Sequence, residues 1–217
     1  MENLEQDKKK SSVSVWALCL VSFSFFVFQH LARRQGEPLQ DIFLTVINKS
    51  VSFTAFTMFS AALLTGFFIK LWPASWSAKR DYLKSFGVLG LILSIAHVLI
   101  SVMMFSASYY PAYFTPENKM TAVFGASLLF GTAALVFFIA RGSALLSSVI
   151  QKPGTVNTLN YIMYAFLLIH IFILKYRELF DSGSWKYGWP SGHFVGFLIT
   201  IIVAVFAVIT VFRGKKG

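Results

Sequence analysis

Cysteine is almost absent from this sequence, and Cys19 is the only one among 217 residues. A single thiol cannot form a disulfide framework within the chain, and it cannot supply the thiolate cluster of a zinc or iron–sulfur site. The chain contains four histidines. Any metal would therefore have to be bound through histidine.

Acidic residues are also scarce, and none lies within a long apolar run. Proton relays in pumps and coupled transporters usually depend on a carboxylate at membrane depth, so a small transporter is the weakest alternative for this chain. The sequence also lacks a glycine-rich phosphate loop and a dinucleotide-binding fingerprint. If the protein moves electrons, it receives them from a donor outside its own sequence.

Hydrophobic residues make up 56% of the chain and charged residues only 13%, which is far from the composition of soluble proteins. We therefore predict an integral, multi-pass membrane protein in a plasma or inner membrane. The 19 lysines and arginines, against 9 acidic residues, lie in short loops between apolar runs. This pattern indicates membrane topology and contact with the lipid bilayer, including anionic lipids, and it argues against nucleic-acid binding.

Six apolar runs each have roughly the 17–25 residues of a helix that crosses a lipid bilayer. They predict an all-α fold, a single six-helix transmembrane domain over residues 1–217, with helices near 13–29, 50–72, 85–109, 120–140, 157–176 and 193–212. The first run could be a signal peptide, but QHLARRQ is a poor cleavage site, so we interpret it as a retained helix. Twelve lysines and arginines lie on the N-terminal side and seven on the other, which predicts cytoplasmic termini.

Two of the apolar runs each contain one histidine at membrane depth, where an imidazole is costly to bury. His97 lies 12 residues after Ser85, and His170 lies 13 residues after Asn157. Both helices would cross in the same direction, so both imidazoles would lie roughly 18–20 Å from the inner boundary. This matched depth predicts that His97 and His170 bind the iron of one haem as axial ligands. The alternative is that each histidine only forms a hydrogen bond to a neighbouring helix.

The helix faces around these histidines carry further candidates. The face on the third helix has residues at steps of three and four that suit either a flat ring or plain helix packing: Gly90, Ser94, His97, Ser101 and Met104. On the fifth helix, Met163, Phe166 and Arg177 share the face of His170. Arg177 lies about 10 Å beyond His170 along a helix, where a haem propionate would need a cation. Its alternative role is that of an anchor at the lipid headgroups.

The other two histidines, His30 and His193, lie at predicted outer helix ends. We expect solvated imidazoles at the membrane interface, with an outer redox or metal-contact site as the alternative. The aromatic segment 185–190 is typical of an interfacial belt. The tripeptide NKS at Asn48 fits a glycosylation sequon, but it abuts the membrane, and we interpret the match as fortuitous.

Two stretches on the second and third helices resemble the ferric-reductase-like transmembrane domain family. TGFFIKLWP (residues 65–73) resembles the end of the family's second helix. LKSFGVLGLILSIAHVL, after the basic pair Lys79-Arg80, resembles its basic loop and third helix. The family includes the membrane cores of NADPH oxidases, ferric reductases and six-transmembrane metalloreductases, and the haem-binding membrane subunit of the bacterial periplasmic methionine-sulfoxide reductase.

The fifth helix, NTLNYIMYAFLLIH, resembles the family pattern in which two histidines and an Arg-Leu-x-Tyr run occur together. Tyr161 and His170 match this pattern, whereas Asn157 stands in place of the first histidine and Asn160 also departs from it. Over about residues 50–177, the resemblance implies six helices, b-type haem and electron transfer across the membrane. The missing histidine leaves a second haem without a ligand.

These observations predict one haem b per chain, which passes single electrons from a cytoplasmic reductase or a membrane quinol toward an acceptor on the outer side. The chain would be an electron-transfer subunit of an oxidoreductase, without a nicotinamide or flavin domain of its own. Because a single haem near the outer side leaves a long inner gap, we expect a quinone or flavin near Asn157, Asn160 and Tyr161. The alternative from a different class is a haem-free membrane scaffold or assembly subunit.

Overall fold

The computed structural model describes residues 2–142, 153–176, 179–181, 183 and 185–214. Long helices account for most of these residues, and no β-strand occurs among them, so the predicted all-α fold is confirmed. The described residues form six long helices: α1 (Glu2–Ala32), α2 (Leu39–Leu71), α3 (Arg80–Met103), α4 (Ala122–Gly142), α5 (Pro153–Phe172) and α6 (Gly192–Gly214). Short helical turns occupy Pro73–Trp76, Ser77–Lys79 and Pro111–Tyr113.

Several of the helices have the length and composition of membrane spans. Five qualify on both criteria: Val13–Ala32, Leu39–Leu71, Pro73–Met103, Ala122–Ile139 and Gly192–Arg213. The apolar part of α5, Thr158–Phe172, is shorter. Large apolar side chains on these spans, such as Ile92, Val102 and Leu129, are more than half exposed. Such a surface suits lipid tails and would be unfavourable in water, so the chain is an integral membrane protein.

The chain divides into two compact units, Met1–Val102 with Gly183–Gly217, and Met103–Ser182. In the first unit α2 is the central helix and contacts both α1 and α6. A buried apolar cluster joins α1, α2 and α3, and its members are Val15, Cys19, Met58, Phe86 and Leu89. Half of the residues in the most apolar stretch of α2 are buried inside the protein. A helix in this central position can carry polar side chains that bond to neighbouring helices, as described below.

The second unit is built on the pairing of α4 with α5. The ring of Phe166 on α5 lies 5.6 Å from that of Phe130 and 5.7 Å from that of Phe137, both on α4. The chain before α4 packs its aromatic side chains around Phe124, with the Tyr113 ring centroid at 4.8 Å. These contacts set the register of α4 against α5, and with it the surroundings of His170.

Several helix ends differ from the predicted ones, and two of the differences have a clear physical reason. We predicted that the second span begins near Ser50, but α2 begins at Leu39 and includes the polar residues Asn48 and Lys49. A polar residue continues a membrane helix when another helix provides its hydrogen-bonding partner, as α3 does for Asn48. The third span was predicted to reach residue 109, but α3 ends at Met103, and the following aromatic residues pack on one another as a loop.

Candidate functional site

His97 on α3 is held by a polar side chain of α2. Its Nδ1 lies 2.7 Å from the amide oxygen of Asn48, and Asn48 donates through Nδ2 to the hydroxyl of Ser101 at 2.9 Å. An amide oxygen can only accept, so Nδ1–H of His97 is the donor. In the neutral imidazole, Nε2 then carries the lone pair that can bind a metal.

This arrangement follows from the positions of three polar residues on two helices. Asn48 lies nine residues after the start of α2 and is only 3% exposed. His97 and Ser101 are four residues apart on α3 and therefore share a face. A buried amide needs hydrogen-bonding partners, and these two side chains supply them. Buried in this way, Asn48 is not accessible to a glycosylating enzyme.

His170, near the end of α5, is held by the backbone of α4. Its Nδ1 lies 2.7 Å from the carbonyl oxygen of Ser127. In return, the Ser127 hydroxyl donates to the carbonyl oxygen of His170 at 3.0 Å. This carbonyl is one of the last four of α5, which have no partner within the helix, so the serine satisfies a group that the helix end leaves open. A carbonyl only accepts, and Nδ1–H of His170 is again the donor.

Gly131 makes the close approach of His170 to α4 possible. A Cβ atom added at Gly131 would lie 2.7 Å from Nδ1 and 2.9 Å from Cε1 of the imidazole. Gly131 is four residues after Ser127 and lies on the same face of α4. The serine therefore supplies the acceptor, and the glycine supplies the space for the ring.

The two predicted haem ligands thus share one pattern, although they belong to different units. His97 lies in the first unit and His170 in the second. Each lies seventeen residues after the first residue of its helix, Arg80 and Pro153 respectively. Each directs Nδ1–H to an oxygen that can only accept. Histidines that bind metals through Nε2 characteristically donate their Nδ1–H in this way, which fixes the tautomer and the ring orientation.

The described residues contain no group of three or more histidine, cysteine, aspartate or glutamate side chains placed to hold a metal ion. A metal bound by protein side chains alone normally has at least three such ligands. Haem differs, since its macrocycle supplies four nitrogen atoms and the protein adds only the axial ligands.

The other residues of the predicted faces have mixed roles. A Cβ at Gly90 would lie 2.9 Å from the ring of Phe59, so this glycine permits close packing of α3 on α2. Met163 is buried, and Phe166 contacts α4 through its ring. Arg177, the predicted partner of a propionate, lies outside the described residues.

The polar residues of the fifth helix that we associated with a mobile carrier lie on α5. Asn157 and Asn160 belong to its first half. The side-chain oxygen of Asn160 is buried and has no hydrogen-bonding partner within the described residues. Tyr161 is 40% exposed. Asn160 therefore presents an acceptor that a bound molecule could satisfy.

His30 does not have the solvated environment that we predicted. It is buried at 9% exposure, and its ring centroid lies 6.0 Å from that of Phe53 on α2. The ring of His193 also contacts Phe53, edge-to-face with a centroid distance of 5.2 Å. The prediction was wrong for His30 because the segment before α6 folds over this end of α1, as Gln29 shows by donating to the carbonyl of Pro190 at 2.6 Å.

Sequence reasoning did not identify Asn48, Ser127 or Gly131 as parts of the histidine sites. The signal for Asn48 was its polarity beside an apolar run, which we attributed to a loop. The signal for the other two was a pair of small residues four positions apart, the pattern that allows close helix approach in membranes. Neither pattern by itself identifies the residue of the neighbouring helix that these side chains contact.

Comparison of the chain with models of known protein families, and with curated proteins, finds no match. The fold and the two sites define a helical membrane protein with two histidines whose Nδ1–H groups are engaged by neighbouring helices.

Proposed function

We propose that this protein is a haem b membrane protein that passes single electrons across the bilayer, with His97 and His170 as the axial ligands. The observation that supports this proposal most is the shared state of the two imidazoles. In both, Nδ1–H donates to an oxygen that cannot donate in return. Each neutral ring thereby has Nε2 as its basic nitrogen, the atom that binds haem iron.

The neighbours of each histidine would tune the ligand as well as orient it. An oxygen acceptor on Nδ1–H makes the imidazole a stronger electron donor through Nε2. The acceptor is a side-chain amide at His97 and a backbone carbonyl at His170. When bound, haem b supplies a one-electron couple, and the protein sets its potential through the ligands, their hydrogen bonds and burial.

The proposal includes one haem per chain and a separate electron donor. Asn157 stands where a second ligand on α5 would be needed, and the buried, unpartnered oxygen of Asn160 supports a quinone or flavin near this part of the helix. A cytoplasmic reductase or a membrane quinol would then deliver electrons, and an acceptor on the outer side would receive them. Arg177 remains the proposed cation for a haem propionate.

Direction of transfer depends on topology, for which we propose cytoplasmic termini in a plasma or inner membrane. The distribution of lysine and arginine, twelve against seven, supports this orientation. A reporter fused after Gly217 should then be active only in the cytoplasm. Activity of the reporter on the outer side would reverse the proposed direction of electron flow.

The decisive experiment is a reduced-minus-oxidised spectrum of the detergent-purified protein from haem-replete cells, with haem quantified against protein mass. We expect a low-spin b-type spectrum and one haem per chain. His97→Ala and His170→Ala should each abolish the spectrum, whereas the matched control His193→Ala should retain it. A colourless preparation of folded wild-type protein would exclude the proposal, and two haems per chain would show that the ligands are misassigned.

A haem-free scaffold or assembly subunit is the second candidate, and the same hydrogen bonds favour it from another direction. Each of the two histidines already has a partner on a neighbouring helix, which is what a purely structural histidine requires. In that case the wild-type protein would be colourless, and His97→Ala would lower only its thermal stability.

A further inference from the structure

A cluster of aromatic rings and cations lies in the first unit, where α2 ends, α3 begins and α6 ends. Between α2 and α3 the chain passes through the two short helical turns Pro73–Trp76 and Ser77–Lys79. Pro73 stops α2, because proline has no amide hydrogen with which to continue the helical bonding. We call residues 72–80 the elbow.

The ring of Phe68, in the last turn of α2, joins the elbow to α6. Its centroid lies 4.7 Å from that of Trp76 and 5.8 Å from that of Trp72. The ring of Phe206 on α6 meets Phe68 edge-to-face at 4.9 Å. These contacts place both tryptophans of the elbow and the last part of α6 in one cluster.

A cation lies over the ring of each tryptophan. Lys79 Nζ is 4.6 Å from the centre of the Trp76 ring, and Arg213 Cζ is 5.8 Å from that of the Trp72 ring. Both distances are within the roughly 6 Å of a cation–π contact. An indole attracts a cation to its face but carries no net charge, so the positive charge remains available to an anion.

The charge at this end of the first unit is positive. The exposed cations on the elbow and on the adjoining turns of α2, α3 and α6 are Lys70, Lys79, Arg80, Lys84 and Arg213. Among the described side chains of these segments, Asp81 is the one acid. No ion pair of these cations occurs within the part of the chain that the structure describes. The resulting positive potential attracts an anionic partner.

Apolar side chains border these cations directly. Phe212, beside Arg213, is 66% exposed, and Trp72 is 44% exposed. Both lie at the ends of helices that have the length and composition of membrane spans, where tryptophan is characteristic of the headgroup level. An acidic soluble protein would meet the cations and leave the apolar surface uncovered. A phospholipid covers both, with its headgroup and its acyl chains.

We propose that the elbow, together with Arg213, binds the headgroups of anionic phospholipids. The phosphate oxygens accept charge-assisted hydrogen bonds from Lys79 and Arg213, and the surrounding cations balance the net negative charge of the lipid. The two indoles hold these cations at the depth of the headgroups. The acyl chains lie against the exposed apolar side chains of α6.

The proposal depends neither on haem nor on the direction in which the chain crosses the bilayer, and its test uses the full chain. Protein would be placed in nanodiscs with equal amounts of phosphatidylglycerol and phosphatidylcholine, and the lipids that stay bound would be identified by native mass spectrometry. Both lipids contain a phosphate, but only phosphatidylglycerol has a net negative charge. We expect wild-type protein to retain phosphatidylglycerol in clear excess. Equal retention of the two lipids would overturn the proposal and leave an acidic soluble protein as the partner to test.

Lys79→Gln and Arg213→Gln each remove one exposed cation and leave the aromatic cluster in place. Each should lower the ratio of retained phosphatidylglycerol to phosphatidylcholine about fivefold, the contribution of one cation near an anionic surface. Lys79→Arg keeps the charge and should keep the wild-type ratio. Lys119→Gln is the matched control, because this exposed lysine has Glu117 in the same loop, and it should leave the ratio unchanged. Ratios of the two elbow variants equal to that of the control would overturn the proposal.

Discussion

Replacing Gly131 by alanine would place a methyl group where the imidazole of His170 now lies. The added Cβ would be 2.7 Å from Nδ1, whereas ordinary contacts begin at about 3.4 Å. The ring must therefore move away from α4 by about 0.7 Å. This displacement also stretches the 2.7 Å hydrogen bond from Nδ1 to the Ser127 carbonyl beyond the usual length.

Three contributions determine the change in the free energy of unfolding. Overpacking of a tight contact costs about 1–3 kcal/mol, and the weakened hydrogen bond costs about 1 kcal/mol. Alanine in place of glycine returns roughly 1 kcal/mol through its higher helix propensity. We expect a net loss of about 1–3 kcal/mol in the free energy of unfolding. If His170 binds haem, its misplacement should also lower haem affinity about 10- to 100-fold.

Gly125→Ala provides a matched control on the same helix. There the added Cβ would meet only the terminal methyl of Met120, at 3.3 Å, and a flexible side chain can move aside. Thermal unfolding of both variants in the same detergent, with haem content measured on the same samples, gives the comparison. Equal melting temperatures and equal haem content for the two variants would refute the placement of His170 against Gly131.

Three further changes have defined outcomes. Gly192→Ala should lower the melting temperature by several degrees, since its Cβ would lie 2.7 Å from an aromatic ring, whereas Gly196→Ala meets that ring at 3.6 Å and should not. Asn48→Ala removes the acceptor of the His97 imidazole, so nitrogen-15 NMR of labelled histidine should show loss of the single Nδ1–H tautomer of His97. An unchanged spectrum would contradict this contact. Thr115→Val should raise the pKa of Glu117, which the threonine hydroxyl holds below its usual value. Because that pKa is depressed in the folded state, the carboxylate favours folding at neutral pH and loses this effect on acidification, and carboxyl NMR titration measures the difference.

The sequence alone was sufficient for the class of fold. Long runs without acidic residues admit few structures other than membrane helices, because lipid leaves backbone groups no partner outside the helix. The six helices were located for the same reason, and His97 and His170 were identified as exceptional because imidazoles are rare at that depth. The boundaries were less accurate at α2, where Asn48 was taken for the edge of a loop.

What the tertiary structure decided is which residues face the histidines. Asn48 and Ser127 are separated from their partners by 49 and 43 positions, and no local pattern encodes such a pairing. The same holds for His30, which would be solvated on an isolated helix but is buried by Phe53 and by the segment before α6. Hydrophobicity and helical period act within one segment and are therefore readable from the sequence. The choice of partner depends on the packing of helices far apart in the chain, and only the folded structure supplies it.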